Sequence, residues 1–213
     1  MRVENDMIHV VDDDASMRDS LCWMLQASGL KAQAHPAPEG FLAHHDREEP
    51  SCLILDLEMP GTNGLSFLQD LRKQGNLVPV IVFTGTGDVR KAIESMKLGA
   101  MDFFEKPADH TLLIDAVRRA LENDKSRLSD QSRLGDIVSR FNDLTERERE
   151  LVPLICEGMS NKEIAIKLNI SSNTVKNHRV RLIKKVKAAN TADFVRCAML
   201  SNLFNQPKPG ADR

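Results

Sequence analysis

A doubly wound, five-stranded parallel sheet with helices on both faces, followed by a small all-α domain, is the fold class this sequence predicts. Three observations predict it. Short apolar runs alternate with helical stretches five times over the first 121 residues. After Phe141 the hydrophobic period is helical throughout. The charge changes sign near the same point: residues 1–141 carry 16 Lys+Arg against 23 Asp+Glu, a net of −7, and residues 142–213 carry 13 against 8, a net of +5. Five βα units need crossover connections, which cover both faces of a parallel sheet. An acidic front and a basic back point to two domains with different partners.

The elements follow in order. Met7–Val11 is an apolar strand. Ser16, with Asp19 three residues on, has the spacing of a capping box for the first helix, and Gly29 ends it. Residues 30–35 form a second strand, 38–45 a short helix and 51–56 a third strand. A helix over 65–74, a strand over 80–83, a helix over 88–98 stopped by Gly99, and a strand over 101–104 complete the alternation. The last helix of this half begins near Asp109. Residues 109–133 contain no Gly or Pro, so the helix is read as running on into a helical linker, with a coil over the charged stretch 122–133 as the alternative. Thr145 with Glu148, and Ser160 with Glu163, repeat the capping-box spacing, and Gly158 and Asn169 are helix stops. Pro153 removes an amide donor inside the helix begun near Glu146, so a kink or a restart is expected there. The expected organisation is a first domain over 1–121, a linker over 122–141, a helical domain over 142–205 and a disordered tail over 206–213.

Composition limits the functional classes. An apolar fraction of 41% and a charged fraction of 28% are those of a globular chain. No apolar run approaches the ~18 residues needed to span a bilayer. MRVENDMIHV has no long apolar core, so a secretory signal is not expected. The four cysteines show no CxxC spacing, and Cys22 and Cys52 read as core residues, which suits a reducing cytoplasm. His35, His44, His45 and His110 form no ligand spacing and read as surface residues, and Trp23 reads as core.

In a parallel α/β sheet, ligands bind at the carboxyl ends of the strands. Asp12 and Asp13 follow the first strand, Asp56 the third, Thr84 ends the fourth, and Lys106 follows the fifth. Clustered carboxylates repel one another unless a cation neutralises them, and oxygen ligands favour Mg²⁺. A lysine and a hydroxyl at the same edge can hold phosphoryl oxygens. The plain alternative is a set of solvated loop acids.

VDDD at 11–14, LDLEMPG at 55–61, TGTGD at 84–88 and FFEKP at 103–107 stand in the order and spacing of a response-regulator receiver domain, which residues 6–121 resemble. The resemblance implies a flavodoxin-like fold and assigns roles. Asp56 is the expected phosphoryl acceptor. Asp13 and Asp56 would bind Mg²⁺ through side chains, Glu58 through its backbone carbonyl, and Asp12 mainly through water. Thr84 would bond the phosphoryl group, Lys106 would pair with it, and Phe103 would turn inward when Thr84 moves. Glu58 and Thr86 stand where the family controls the access of hydrolytic water. Asp14 is expected to face solvent or start the helix, and Glu105 to point outward.

LTEREREL and GMSNKEIAIKLNISSNTVKNHRVRLIKKV resemble the LuxR-type helix-turn-helix, over about residues 142–203. A receiver joined to this module is the NarL/FixJ arrangement, and GDVRKAIESMKLGA resembles its FixJ branch. Spacing alone gives the same picture. Ser171 caps a helix from Ser172 to about Lys187, whose buried stripe is Val175, Leu182 and Val186. The opposite side carries Lys176, Asn177, Val180, Arg181 and Lys184 and can enter a major groove. Lys176 and Asn177 are the expected base readers, with Val180 against a thymine methyl. Thr174, Arg181, Lys184 and Asn161 are expected at phosphates. Arg179 and His178 lie near the buried stripe. A solvated basic helix face is the alternative. Residues 191–203 read as a fourth helix, either a dimer contact or ordinary core.

The expected protein is therefore a cytoplasmic transcription regulator and not an enzyme beyond its own phosphoryl chemistry. Its expected partners are a sensor histidine kinase, double-stranded DNA and, once phosphorylated, a second copy of itself, with room for RNA polymerase. The other classes considered are a metal-dependent phosphatase with an aspartyl nucleophile and a DNA-binding or scaffold protein that needs no phosphorylation. The basic module argues against the first, and the Asp13, Asp56, Thr84 and Lys106 set against the second.

Overall fold

The tertiary structure, a computed structural model, describes residues 6–85 and 88–201. The chain divides into two compact units, Met1–Ser129 and Asp130–Arg213.

The first unit holds β1 (Met7–Val11), β2 (Ala32–His35), β3 (Ser51–Leu55), β6 (Val80–Thr84) and β7 (Asp102–Glu105) in one parallel sheet of order β2-β1-β3-β6-β7. β4 (Glu58–Met59) and β5 (Thr62–Asn63) pair separately as a small antiparallel hairpin. Period-two alternation sends side chains to opposite faces. Ile8, Val10, Cys52, Ile54, Ile81 and Phe83 pack with α1 (Ala15–Ala27) and the first turns of α5 (His110–Asn142). Val11, Leu53, Leu55, Val80 and Val82 pack with Phe41 of α2 (Pro38–His44) and with Leu68 and Leu71 of α3 (Gly64–Lys73). α4 (Val89–Lys97) precedes β7. The strand order reverses between β1 and β3, so a crevice opens at the carboxyl ends of those two strands.

Several local expectations need correction. The first helix is capped by Asp14, whose side chain accepts from the amides of Ser16 and Met17, and not by Ser16. Asp14 provides an acceptor one residue ahead of the helix, which is the geometry a cap needs. Trp23 is 74% exposed. The buried face of α1 is Leu21, Met24 and Leu25, and at 100° per residue Trp23 falls on the opposite side. The histidines are not all surface residues: His35 is buried, and so is His9. His9 Nδ1 lies 3.0 Å from His35 Nε2, and the rings of His44 and His45 lie 5.6 Å from His35 and 5.8 Å from His9, respectively. His44 itself is exposed, as is His110.

Residues 110–142 form one helix, so the charged stretch is not a coil. Its first turns bury Leu113, Ala116, Val117, Ala120 and Leu121. Further on, the buried Asp124 accepts from the Ser51 amide at 3.1 Å and pairs with Arg127 at 2.8 Å, fixing the helix to the start of β3.

The second unit packs α6 (Glu146–Cys156), α7 (Asn161–Leu168), α8 (Ser172–Val186) and α9 (Thr191–Leu200) around Phe141, Leu151, Ile155, Ile164, Leu182 and Phe194. Both capping boxes form, at Thr145–Glu148 and Ser160–Glu163. Helix α6 runs through Pro153 without a restart. Leu151, Val152, Leu154 and Ile155 around the proline are all buried, and their packing holds the final turn in place. Leu203 and the expected tail over 206–213 lie outside the described residues.

Candidate functional site

The reversal of strand order brings the ends of β1 and β3 side by side, and the Asp56 amide donates to the Val11 carbonyl at 2.9 Å. Asp12 and Asp56 are buried, and Asp13 is exposed. One carboxylate oxygen from each of the three lies within 4.8 Å of the others. Lys106 reaches in from the loop after β7, its Nζ 2.5 Å from Asp12 Oδ2 and 2.7 Å from Asp56 Oδ2. Its ammonium also stands 5.5 Å over the Phe83 ring. Burial opposes the Lys106 charge, but the hydrogen bonds to Asp12 and Asp56 outweigh it and hold the ammonium above its ordinary range. The cluster thus holds a cation by hydrogen bonds on two carboxylates, which strengthens each bond.

Backbone contacts fix these groups. Asp12 Oδ1 accepts from the Asp14 amide at 2.9 Å, and the Asp12 carbonyl accepts from Arg18 at 2.7 Å. Asp56 Oδ1 accepts from the Glu58 amide at 3.1 Å. The Lys106 amide donates to the Thr84 carbonyl at 2.8 Å, so Thr84 and Lys106 belong to the same edge. Thr84 is fully buried, and among the described residues its hydroxyl has no hydrogen-bond partner. Sequence reasoning passed over Gly64. A Cβ there would stand 2.5 Å from the Asp56 carbonyl oxygen and 2.7 Å from Leu57 Cα, so only glycine lets α3 begin this close to the Asp56 loop. The Asn63-Gly64 pair was the available signal, with Asn63 capping α3.

Phe103 is half-buried on β7 and packs against the core beneath α2 and α3. The Glu58 side chain pairs with Lys91 of α4. Thr86 lies outside the described residues, and Glu105 is exposed.

In the second unit, α7 ends at Asn169 in the left-handed conformation, and Ser171 then caps α8 by accepting from the Thr174 amide at 3.0 Å. Val175, Leu182 and Val186 are buried, while Lys176, Asn177, Val180, Arg181 and Lys184 are exposed on one helix. Thr174 and His178 are half-buried. Arg179 donates to Asn161 Oδ1 at 2.7 Å, so that oxygen is engaged within the fold. Two short helices joined by a tight turn, the second with a basic outer face, make a helix-turn-helix.

Family comparison decides what these two units are. The response regulator receiver domain family matches residues 8–118, and the luxR family of bacterial regulatory proteins matches residues 142–198. The chain belongs to the NarL/FixJ family of response regulators. Its NarL/FixJ relatives include the transcriptional regulatory protein FixJ of Azorhizobium caulinodans, 38% identical over 92% of this chain and 93% of that protein. FixJ of Rhizobium meliloti is 39% identical over 90% and 94%. Among solved structures, the response regulator StyR superposes with a TM-score of 0.83 at 31% identity, covering 91% of this chain and 98% of StyR. Full-length FixJ from B. japonicum gives 0.56 at 32% identity, over 94% and 99%. As a NarL/FixJ response regulator, the protein is a transcription regulator and not a conventional enzyme. The receiver implies a kinase partner and the LuxR-type module implies DNA binding. Among the described residues, no helix is long and apolar enough to cross a membrane.

Proposed function

We propose that a sensor histidine kinase phosphorylates Asp56, that Mg²⁺ held at the strand ends assists, and that the phosphorylated chain dimerises and binds DNA. The observation that carries this reading is the buried Thr84 hydroxyl, without a hydrogen-bond partner among the described residues, at the edge shared with Asp56 and Lys106. A buried hydroxyl without a partner costs about 1–3 kcal/mol, and a phosphoryl oxygen on Asp56 supplies the missing acceptor.

The donor set suits Mg²⁺. It is all oxygen and all carboxylate, and one oxygen from each of the three carboxylates lies within 4.8 Å of the others, close enough for one cation to draw them together. Asp12, Asp13 and Asp56 would hold the ion, with the Glu58 carbonyl as a further ligand. When bound, it offsets the negative charge that a phosphoryl group brings to three carboxylates. The chain's own residues do the rest. An Asp56 oxygen attacks the phosphorus of a phosphohistidine. The P–N bond breaks, and its electron pair returns to the imidazole nitrogen. Lys106, already on Asp56, moves its hydrogen bond to the phosphoryl oxygens, and Thr84 donates to another. Phe103 follows Thr84 inward.

Exposed Val89, Ile93 and Met96 support the dimer step. They recur on one face of α4, beside the β7–α5 side where such dimers form in the family. Lys176, Asn177 and Val180 would read bases, with Thr174, Arg181 and Lys184 at phosphates. The engaged oxygen of Asn161 leaves that residue its amide NH₂ for a phosphate. The receiver is the module over 1–121 and the DNA-binding module spans 142–205, with residues 122–141 as a helical connection. A cytoplasmic location and a contact with RNA polymerase accord with this role.

Incubation with acetyl phosphate and Mg²⁺, followed by intact-mass and peptide analysis, tests the acceptor. Wild type should gain one phosphoryl group on Asp56, and Asp56→Asn should gain none while keeping its fold. Stable labelling of the asparagine variant at the wild-type level would sink the assignment.

A further inference from the structure

The second unit carries a basic recess that none of the roles above uses. The end of α5, the end of α8 and the side of α9 border about 170 Å³ there. Four cations line it: Arg133, Arg140, Lys187 and Arg196. Two acids, Asp136 and Asp193, stand among them over a floor of buried Ile137 and Cys197. The acids are engaged. Asp193 Oδ2 accepts from the Ala189 amide at 2.9 Å, and its Oδ1 accepts from Arg196 at 2.6 Å. Asp136 faces Arg140 at 3.7 Å, and Arg140 also donates to the Val186 carbonyl at 3.4 Å. Arg133 and Lys187 are exposed, and among the described residues no hydrogen bond or ion pair engages either side chain. Arg133 acts on Asp193 only through its charge. Lys187 is also left-handed, at φ 58°. Glycine fills such a helix end without strain, and lysine there places a cation on a strained backbone.

We propose that Lys187, Arg133 and Arg140 form a second phosphate-binding patch, which holds the DNA backbone where the far end of α8 leaves the major groove. This rests on the reading of α8 as the helix that enters the groove. At 100° per residue, Lys187 falls within about 80° of Lys176, Val180 and Lys184, so the recess continues their face. α8 runs for 15 residues, about 22 Å, while a major groove is about 12 Å wide. With its first turn at the base edges, its last turn stands over a phosphate wall. Clustered cations repel one another as clustered acids do, and an anion in the recess relieves this. Arginine suits a phosphate, because its planar fork meets two oxygens at once. The buried floor excludes water from one side and strengthens the attraction. A contact of this kind fixes position and carries no sequence information.

Salt dependence counts phosphate contacts, because each releases counterions and adds about 0.9 to the slope of log affinity against log salt. The full chain, with Mg²⁺ and beryllofluoride, is titrated by fluorescence anisotropy on two duplexes. One has random sequence, and the other is selected by wild type from a random pool. Lys187→Gly removes the cation and the strain together, so its Tm should match or exceed that of wild type. Its slope should fall by about 0.9 for each chain bound, on both duplexes alike. The affinity ratio of wild type to Lys187→Gly should therefore narrow about three- to fourfold per chain bound between about 50 and about 200 mM salt. Arg133→Gln should act likewise, the double substitution should add the two effects, and Lys187→Arg should keep the wild-type slope. Wild-type slopes in Lys187→Gly and Arg133→Gln would overturn the proposal, as would a loss confined to the selected duplex. Calorimetry with inorganic pyrophosphate tests the other occupant. Binding to wild type that Lys187→Gly loses, with DNA slopes unchanged, would give the recess to a small free anion and overturn the DNA contact. Lys176→Ala and Arg181→Ala are titrated alongside. If wild type binds neither duplex, or if these two bind as wild type does, the reading of α8 fails and this proposal with it. If these two weaken binding while Lys187→Gly and Arg133→Gln do not, this proposal alone fails.

Discussion

His9 sits on β1 with 2% exposure, bonded to His35 and near His44, His45 and the edge of Phe41. Burial, then the neighbouring His35, His45 and His44, lowers its pKa from 6.5 to about 4. Burial lowers His35 and His45 as well, although Asp124 and Asn76 partly offset this at His45, which also faces Arg47 and Asp46. Ser51 lies 3.3 Å from His45 Nδ1. Between about pH 6.5 and 4 the unfolded chain binds the proton that folded His9 refuses, so stability is complete above this window and falls as the pH drops through it. From pH 7.5 to 5, His9 alone should cost the first unit about 2 kcal/mol. Hydrogen exchange of the β1 amides at the two pH values checks this. Protection should fall in wild type and fall less in His9→Leu, and equal pH dependence in both would contradict the account. The histidine cluster was not legible in the sequence, because strand pairing and the return of α2 assemble residues 26 and 36 positions from His9. The acids were legible, because Asp12 and Asp56 directly follow short apolar runs and Asp13 follows Asp12. The Glu58–Lys91 pair, 33 residues apart, has no local signal either.

At the scale of elements, α8 was legible because its period states which side is buried: Val175, Leu182 and Val186 face the core, and the basic residues face out. α1 was legible as a helix but not in its orientation. Its large apolar Trp23 is exposed, away from the buried face of Leu21, Met24 and Leu25. The β4–β5 hairpin escaped because two-residue strands leave no alternation to read. Proline at 153 suggested a kink or a restart, and one helix runs through it without a restart. The exposed start of α8 gives a direct test. Lys176→Ala should weaken binding to a specific operator by about 1–3 kcal/mol and weaken random DNA less, as read by fluorescence anisotropy on both. An equal loss on both would make Lys176 a phosphate contact.

At the scale of the whole molecule, the net of −7 over residues 1–141 and +5 over 142–213 sets an acidic receiver beside a basic DNA-binding module in one chain. A dimer places two recognition helices on two half-sites and raises affinity by avidity. The two-part architecture was legible in that charge division and in the change of hydrophobic period. The exposed ridge of α4 was not, because Val89, Ile93 and Met96 have the same spacing as a buried stripe. The central claim is that a phosphoryl group on Asp56 switches DNA binding through dimerisation. Sedimentation velocity of the full chain with Mg²⁺, with and without beryllofluoride, alongside DNA titrations of the same samples, tests it most directly. The account predicts a monomer that becomes a dimer with beryllofluoride while DNA affinity rises, and neither change in Asp56→Asn. An unchanged mass with a rising DNA affinity would contradict it.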